Sequence, residues 1–374
     1  MIIRDLQTII QGDIFKNKAI ILIGARQVGK TSLVKQITDE LQLPTLFMNC
    51  DEPEPRELLT NTNTQKLKQL IGEHKLLVID EAQRVKNIGL TIKLIVDNIK
   101  EVQVFATGSS ALEIANEISE PLTGRKYEYN LFPFSASELV RSSNILTERQ
   151  LLEKRLIYGS YPDVINRPAE SEKTLMNITG SYLYKDILAY NEVRRPAQLE
   201  KLVQALALQI GSEVSYNELA QIIQTDNQTV ERYIDLLEQS FVVFRIGAFS
   251  RNLRNEIKKS RKIYFYDNGI RNAVIQNFSP LNLRQDVGAL WENYIFSERI
   301  KQNNYAQNFT KSYFWRTFQQ QEIDMVEIRN NSVSIFEIKW NPKRKVKISD
   351  SFLESYKPEI INTITKENYL EFLL

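Results

Sequence analysis

The strongest chemical pattern in the sequence is a glycine-rich loop that ends in Lys30-Thr31. Residues 24–31 read GARQVGKT and match G-x-x-x-x-G-K-[ST], between an apolar run and a helical stretch. Glycines let the backbone N–H groups converge on phosphates, and the following helix adds the positive end of its dipole. The lysine reaches the β- and γ-phosphates, and the hydroxyl ligates Mg²⁺. We therefore predict a nucleoside-triphosphate site, with Lys30 also catalytic, formed by Gly24, Ala25, Arg26, Gln27, Val28, Gly29, Lys30, Thr31 and Ser32.

Two carboxylates stand at the end of another predicted strand. The apolar run from Leu76 to Ile79 ends in Asp80 and Glu81. Ligands of open α/β folds bind at the carboxyl ends of the strands, which favours a nucleotide site over a strand that simply exits into a polar loop. We expect Asp80, together with Thr31, to hold Mg²⁺ and Glu81 to orient the attacking water as the general base.

A third strand, VQVFATGSSA at residues 102–111, also ends in hydroxyl side chains. Thr107 and Ser109 are candidates for sensing the γ-phosphate from this strand end. The alternative is that they cap a following helix, since serine and threonine favour that position.

The C-terminal part holds a second set of residues with the types and order of a metal-dependent nuclease. Glu292 lies on a predicted helix, Asp324 on a strand hairpin, and Glu337 and Lys339 on one face of the strand VSIFEIK. This order is found in restriction-endonuclease-like folds, where two carboxylates hold Mg²⁺ and the lysine activates water. The alternative is mutual neutralisation on a half-exposed sheet, although a surface pair stabilises a protein very little.

The elements that position these residues suggest several domains. A chain of 374 residues is too long for one small core. We predict an α/β protein, with a P-loop ATPase domain built on a parallel sheet at residues 1–140 and a helical lid or linker at 141–210. A winged helix-turn-helix at 211–270 and a small restriction-endonuclease-like α/β domain at 271–374 complete the predicted organisation.

Composition excludes several other classes of function. The 48 basic and 46 acidic side chains leave a formal charge of +2, so any nucleic-acid surface must be local. Cys50 is the single cysteine and His74 the single histidine, which excludes an internal disulfide framework and leaves no raw material for histidine-based sites. No apolar run approaches the roughly 20 residues that span a bilayer. These features predict a soluble, cytoplasmic protein without a membrane partner.

The predicted winged helix carries conflicting signals about DNA. Asp226, Glu231, Asp235 and Glu238 outnumber Arg232 along its second helix, which disfavours base reading and favours packing or oligomerisation. The basic segments 245–262 and 341–347 are possible contacts for a phosphate backbone, although charge runs are often just solvated loops.

Several stretches together resemble the AAA-type ATPases of bacteria and archaea that carry a poorly characterised C-terminal region. They are GARQVGKT, IDEAQ, TGSSA, LTGRKYEYNLFPFSASE, YGSYPDVI, SYLYKDIL, KIYFYDNGIRNAV and GALWENYIFSERI. The resemblance implies adenine as the base and Arg125 as a sensor or arginine finger, acting on its own or a neighbour's nucleotide. A plain surface cation is the alternative for Arg125. The chain departs from the family at Ser160, where relatives usually have a second glycine.

These observations predict an ATPase that uses ATP and Mg²⁺ to drive or switch a C-terminal effector module. One alternative is an ATP-regulated, metal-dependent DNA nuclease. The other is a slow nucleotide switch whose C-terminal domain binds a protein partner or a second copy of the chain.

Overall fold

A computed structural model describes residues 2–109, 121–183, 195–250, 261–317, 319, 321–344, 346 and 348–374. The chain divides into two compact units. The first is Met1–Phe132 with Gln239–Phe241, and the second is Pro133–Glu238 with Val242–Leu374. No helix in the described ranges is long and apolar enough to cross a membrane.

The first unit is built on a parallel sheet of five strands in the order β2-β3-β4-β1-β5. The strands are β1 (Ala19–Ile23), β2 (Thr45–Asn49), β3 (Leu76–Asp80), β4 (Gln103–Gly108) and β5 (Lys126–Asn130). The helices are α1 (Asp5–Gly12), α2 (Lys30–Leu41), α3 (Pro53–Leu59), α4 (Thr64–Ile71) and α5 (Ile88–Asn98), with a 3₁₀ turn at Ala82–Arg84.

Burial of the central strands explains why these segments form a parallel sheet. Every residue of β1, β3 and β4 is buried, as expected for strands covered on both faces. Because the strands are parallel, their carboxyl ends meet at one edge, with Ile23 beside Gly108 and Ile79 beside Ala106. That edge therefore brings together the segments that follow β1, β3 and β4.

The second unit combines many helices with a mixed sheet. Its helices are α6 (Ala136–Ser142), α7 (Ile145–Tyr158), α8 (Pro162–Asn166), α9 (Ser171–Asn177), α10 (Pro196–Leu208), α11 (Tyr216–Ile223), α12 (Asn227–Gln239), α13 (Asn268–Val274), α14 (Val287–Tyr305), α15 (Asp350–Tyr356) and α16 (Tyr369–Leu373). Its strands are β6 (Glu213–Val214), β7 (Val243–Ala248), β8 (Arg261–Phe265), β9 (Lys311–Arg316), β10 (Glu322–Arg329), β11 (Ser332–Ile338) and β12 (Ile360–Ile364). Short 3₁₀ turns lie at Pro168–Glu170 and Leu281–Leu283, and a π-helical segment lies at Ile178–Leu183.

All seven strands of this unit belong to one sheet, in the order β12-β11-β10-β9-β7-β8-β6. The strands β6, β7 and β8, with α10, α11 and α12, follow the order of a winged helix. The elements from α14 to β12 follow as helix, three antiparallel strands, helix and a strand parallel to β11. A short parallel pairing of β7 with β9, at Gly247 and Ala248, joins the two groups. The predicted boundary at residue 270 thus falls between strands of a single sheet.

The sequence predicted an α/β protein with a parallel sheet in its first part and a further α/β region in its last part. This fold class is confirmed. The predicted strands at 19–23, 76–79 and 333–339 correspond to β1, β3 and β11, and the helix predicted around Glu292 runs from Val287 to Tyr305. Its buried face carries Trp291, which contacts Tyr294, Trp340 and Tyr369. This aromatic cluster fixes α14 against the elements that carry the C-terminal residues of interest.

Candidate functional site

The glycine-rich loop connects β1 to α2 at the carboxyl edge of the parallel sheet. A Cβ on Gly24 would stand 2.1 Å from the backbone oxygen of Leu131, so no side chain fits there. Gly29 has φ +96°, a left-handed conformation that suits glycine, and α2 begins at the next residue. Two features of an anion-binding loop, glycines that permit its backbone path and a helix that begins directly after it, are thus both present.

We predict that Gly24→Ala lowers both the stability of the chain and its affinity for ATP. The collision with Leu131 is with backbone, so the loop must shift, and overpacking of this kind costs about 1–3 kcal/mol. Gly12→Ala is the matched control, because a Cβ on Gly12 meets nothing within 4 Å. Thermal unfolding and ATP titration of both variants test this. A Gly24→Ala protein with the stability and ATP affinity of wild type would contradict the argument from the steric clash.

Lys30 is buried in the loop, with 6% of its surface exposed. Its ammonium donates to the backbone oxygens of Gly24 at 2.8 Å and Ala25 at 2.9 Å. The positive charge is thus held at the centre of the loop, where phosphate oxygens are expected.

An arginine that sequence reasoning missed braces this loop. The Arg4 guanidinium, 5% exposed, donates from Nη1 to the backbone oxygen of Val28 at 2.8 Å and from Nη2 to that of Phe132 at 2.6 Å. Arg4 is distant from both partners along the chain and belongs to no motif, so the sequence carried no signal for this contact.

Asp80, Thr31 and Thr107 form one hydrogen-bonded group beside the loop. The Thr31 hydroxyl lies 2.9 and 3.1 Å from the two carboxylate oxygens of Asp80. Thr107, fully buried, donates to the same carboxylate and accepts from the backbone N–H of Glu81 at 3.3 Å. The structure therefore places Thr107 on Asp80, whereas its predicted sensing of a γ-phosphate stays a prediction. The helix-cap alternative concerns residues 110–120, which lie outside the described residues.

Glu81 is held by a second side chain that the sequence did not single out. Gln83 donates its amide to Glu81 Oε2 at 2.6 Å and to the Ser109 hydroxyl at 3.1 Å. Glu81 itself has φ 52°, the left-handed region that non-glycine residues rarely adopt. Backbone strain of this kind is common at functional sites.

Arg125 lies at the opposite edge of the sheet from the loop. Its backbone oxygen accepts from the N–H of Ala19, the first residue of β1, and its guanidinium pairs with Asp97 at 2.6 Å. Five residues of strand, about 13 Å, separate this edge from the loop. Arg125 therefore lies at the edge of the sheet where β1 begins, and its role as a sensor or arginine finger, on its own or a neighbour's nucleotide, stays a prediction.

The oxygen atoms around Asp80 fit Mg²⁺, which is commonly held by one or two protein oxygens together with phosphates and water. Burial and the charge of Asp80 raise the pKa of the nearby Cys50 thiol to about 12, so no thiolate competes as a ligand. Within the described ranges, no cluster of three or more His, Cys, Asp or Glu side chains is arranged to hold a metal ion by itself.

Three of the predicted C-terminal residues meet on the neighbouring strands β10 and β11 of the second sheet and just after β11. Lys339 pairs with Asp324, and its Nζ lies 2.9 Å from Glu337 Oε2. Asp324 also accepts from the backbone N–H of Ile338 at 2.7 Å. Burial and the charge of Asp324 raise the pKa of Glu337 to about 7. This geometry shows more than a surface pair, because both carboxylates are largely buried.

Glu292 lies close enough to Asp324 to feel its charge, and its carboxylate is held by a lysine that was not predicted as a site residue. Glu292 Oε1 accepts from Lys262 Nζ at 3.1 Å and from the Tyr264 hydroxyl at 2.6 Å. Burial and the charge of Asp324 raise the pKa of Glu292. Lys262 and Tyr264 come from β8, in the predicted winged helix. The site is therefore assembled from two predicted domains.

Arg245 and Lys262, at the two ends of the basic segment 245–262, pair with acidic side chains of the chain, and a contact of this segment with a phosphate backbone stays a prediction. Arg245 pairs with Asp235 and Glu238, and Lys262 is 3% exposed. Residues 251–260 lie outside the described residues. In segment 341–347, Lys343 and Arg344 are exposed, and residues 345 and 347 are outside the described ranges. Counting charges along the sequence could not show that Arg245 pairs with Asp235 and Glu238. This pairing also neutralises part of the acidic face of α12.

Family models match three successive parts of the chain. Residues 16–140 match an AAA domain, residues 149–281 match a domain of unknown function (DUF8612), and residues 287–370 match another (DUF4143). The resemblance inferred from the motifs, an AAA domain followed by an uncharacterised C-terminal domain, is thus confirmed. The AAA fold supports ATP binding.

Relatives along the chain are uncharacterized proteins. One from Haemophilus influenzae is 26% identical over 72% of this chain and 72% of its own length. One from Methanocaldococcus jannaschii is 21% identical over 92% of this chain and 81% of its own length. Among solved structures, the RuvB Holliday junction branch migration motor of Thermotoga maritima matches with a TM-score of 0.36 and 15% identity, over 75% of this chain and 96% of its own. The chain therefore matches, in order, the models of an AAA domain and of two domains of unknown function, and it is similar along most of its length to uncharacterized proteins of bacteria and archaea.

Proposed function

We propose that the protein binds ATP with Mg²⁺ and hydrolyses it to drive or switch its C-terminal region. The observation that carries this is the convergence of Lys30, Thr31, Asp80 and Glu81 at one sheet edge, with Thr31 and Asp80 oxygens 2.9 Å apart. The loop amides and Lys30 would hold the β- and γ-phosphates, and Thr31 and Asp80 would hold the cation.

Hydrolysis at this site needs a base, a positioned water and stabilisation of charge on the phosphates. Glu81 accepts the proton of the water as its oxygen bonds to the γ-phosphorus and the bond to the bridging oxygen breaks, which gives ADP and phosphate. Lys30 stabilises the negative charge that develops on the phosphate oxygens. When bound, Mg²⁺ neutralises the β- and γ-phosphate oxygens and orients them. Gln83 and Ser109 fix the starting position of the Glu81 carboxylate.

Steady-state phosphate release from the purified chain tests this function, with ATP and GTP, and with Mg²⁺ or a chelator. We expect turnover that needs the cation and prefers ATP. Absence of nucleotide binding would overturn the function. Tight binding with only very slow turnover would instead identify a nucleotide switch whose C-terminal region binds a protein partner.

A second candidate function is metal-dependent cleavage of DNA by the C-terminal region. It is supported by the helix-strand-strand-strand-helix-strand order from α14 to β12, which is that of restriction-endonuclease-like folds, and by the contacts of Lys339 with Asp324 and Glu337. Asp324 and Glu337 would hold the cation, and Lys339 would position the water.

We predict that wild-type protein, given DNA with an excess of Mg²⁺ or Mn²⁺, with and without ATP, produces strand breaks that Lys339→Ala abolishes. Among the described residues, Lys339 is the only cation that contacts both Asp324 and Glu337. Its replacement by alanine therefore removes the positive charge that would position the attacking water. Lys311→Ala, an exposed lysine of the same sheet, is the control. Cleavage that persists in Lys339→Ala would show that another site cuts the DNA. If the wild-type protein does not cleave DNA, the role of these residues is structural.

A further inference from the structure

One hydrogen-bond acceptor beside the nucleotide site has no partner in the part of the chain that the structure describes. It is Oε1 of Gln83, which is buried and accepts no hydrogen bond from any described residue. The nitrogen of the same amide is fully used, since it donates to Glu81 Oε2 at 2.6 Å and to the Ser109 hydroxyl at 3.1 Å. Buried polar groups in proteins are nearly always paired, so this oxygen is suited to receive a hydrogen from a bound reactant.

The contact with Glu81 fixes which way the Gln83 amide is turned. An ionised carboxylate only accepts hydrogen bonds, so the group that faces it at 2.6 Å is the NH₂ group and not the carbonyl oxygen. The contact with Ser109, which directly follows β4, holds the same amide from a second element. Because Oε1 and Nε2 are bonded to one carbon atom, the unpaired oxygen lies next to the proposed base.

An acceptor at this place matches what the attacking water offers. The water has two hydrogens, and Glu81 takes one of them as a proton while the water oxygen bonds to the γ-phosphorus and the bond to the bridging oxygen breaks. The other hydrogen stays on that oxygen and leaves with the released phosphate. An acceptor for this second hydrogen fixes the rotation of the water, so that a lone pair points at the phosphorus. Orientation of this kind contributes strongly to rates.

We propose that Gln83 orients the attacking water together with Glu81, with Gln83 Oε1 as the acceptor of the hydrogen that is not transferred. Ser109 is a positioning residue in this arrangement, because it holds the amide of Gln83. The inference rests on the proposed ATPase function. Rates of wild type and of Glu81→Gln, measured alongside, show which of the two fails.

The test is single-turnover hydrolysis and equilibrium titration with ATP, both on the full-length Gln83→Met protein. Methionine keeps the length of the side chain but has neither the donor nor the carbonyl acceptor of the amide. We expect hydrolysis at least about tenfold slower than in wild type, with ATP affinity nearly unchanged, because Gln83 contacts the water and the base and not the phosphates. Gln69→Met, which replaces an exposed glutamine on α4 of the same unit, should behave like wild type.

A double variant separates this role from a purely structural one. In a chain that already carries Glu81→Gln, the water has lost its base, so adding Gln83→Met should leave the residual rate nearly unchanged. Groups that act as a unit on one reacting molecule are strongly non-additive, whereas independent defects multiply their effects on the rate.

Three results would overturn the inference. A folded Gln83→Met protein that hydrolyses ATP as fast as wild type, or faster, would show that the amide does not orient the water. A loss that multiplies in full with that of Glu81→Gln, or that consists of weaker ATP binding, would assign Gln83 a structural role. A wild-type chain without turnover would remove the reaction itself, and with it the proposed function. If Gln83→Met does not fold, Gln83→Asn decides, since its shorter amide cannot reach both Glu81 and the water, and the same loss is expected.

Discussion

Replacing Lys30 by alanine is expected to lower ATP turnover by at least about 100-fold, the size of effect seen when one group that stabilises developing charge is removed. The ammonium is buried at the centre of the loop, 2.8 Å from the backbone oxygen of Gly24, and water cannot easily replace it there. Because Lys30 contacts phosphates in the bound state as well, we expect weaker ATP binding in addition to slower turnover. Phosphate release and equilibrium titration with ATP measure the two effects.

Lys35→Ala is the matched control for this prediction. Lys35 lies on the same helix but is exposed, with its ammonium over the ring of Phe47 at 5.0 Å. We expect its turnover and affinity to equal those of wild type. If Lys30→Ala hydrolysed ATP as fast as Lys35→Ala, the nucleotide site would have to lie elsewhere in the chain.

Glu81→Gln is expected to separate binding from chemistry. A general base contributes about 10²- to 10⁴-fold to a rate, and the amide keeps the size of the carboxylate but cannot take the proton of the water. The loop, Lys30 and the Thr31–Asp80 pair are untouched, so ATP should bind with nearly unchanged affinity. Single-turnover hydrolysis and ATP titration on the same preparation show whether this separation occurs.

One control variant and one stability measurement accompany the Glu81→Gln experiment. Glu57→Gln, on the exposed side of α3, controls for the loss of one negative charge from the same unit. Thermal unfolding of Glu81→Gln shows whether the left-handed backbone at residue 81 tolerates the change. Full hydrolysis by a folded Glu81→Gln protein would remove Glu81 from the mechanism and point to another base.

How much of the site could be predicted depended on how local its signal is. The loop from Gly24 to Thr31 is contiguous, and its chemistry follows from residue types and spacing. Asp80 and Glu81 were predictable because a parallel sheet gathers the ends of its strands at one edge. By contrast, Arg4 contacts partners far along the chain, and nothing in its own neighbourhood distinguishes it from a surface residue. Gln83 lies within the IDEAQ stretch, but its contacts with Glu81 and Ser109 could not be read from the sequence.

The distribution of charge on the folded protein was the property that the sequence predicted least well. Arg245 and Lys262 looked like members of an exposed basic run, but the fold pairs the first with Asp235 and Glu238 and buries the second against Glu292. A run of cations reports only what is adjacent along the chain, whereas the field at a surface depends on partners from other elements. Arg125 shows the same limit, since its role came from resemblance and its distance from the loop came only from the strand register.

The pairing of β7 with β9 has a practical meaning for anyone who cuts this chain into pieces. A fragment that stops at residue 270 keeps β6, β7 and β8 but strips β7 of its neighbour, so the backbone groups of Gly247 and Ala248 that meet β9 would face solvent along an open edge. It would also keep Lys262 while discarding both Glu292 and Glu322. Such a fragment is prone to self-association, whereas a fragment that begins at Pro133 keeps β7 with β9 and Lys262 with both glutamates.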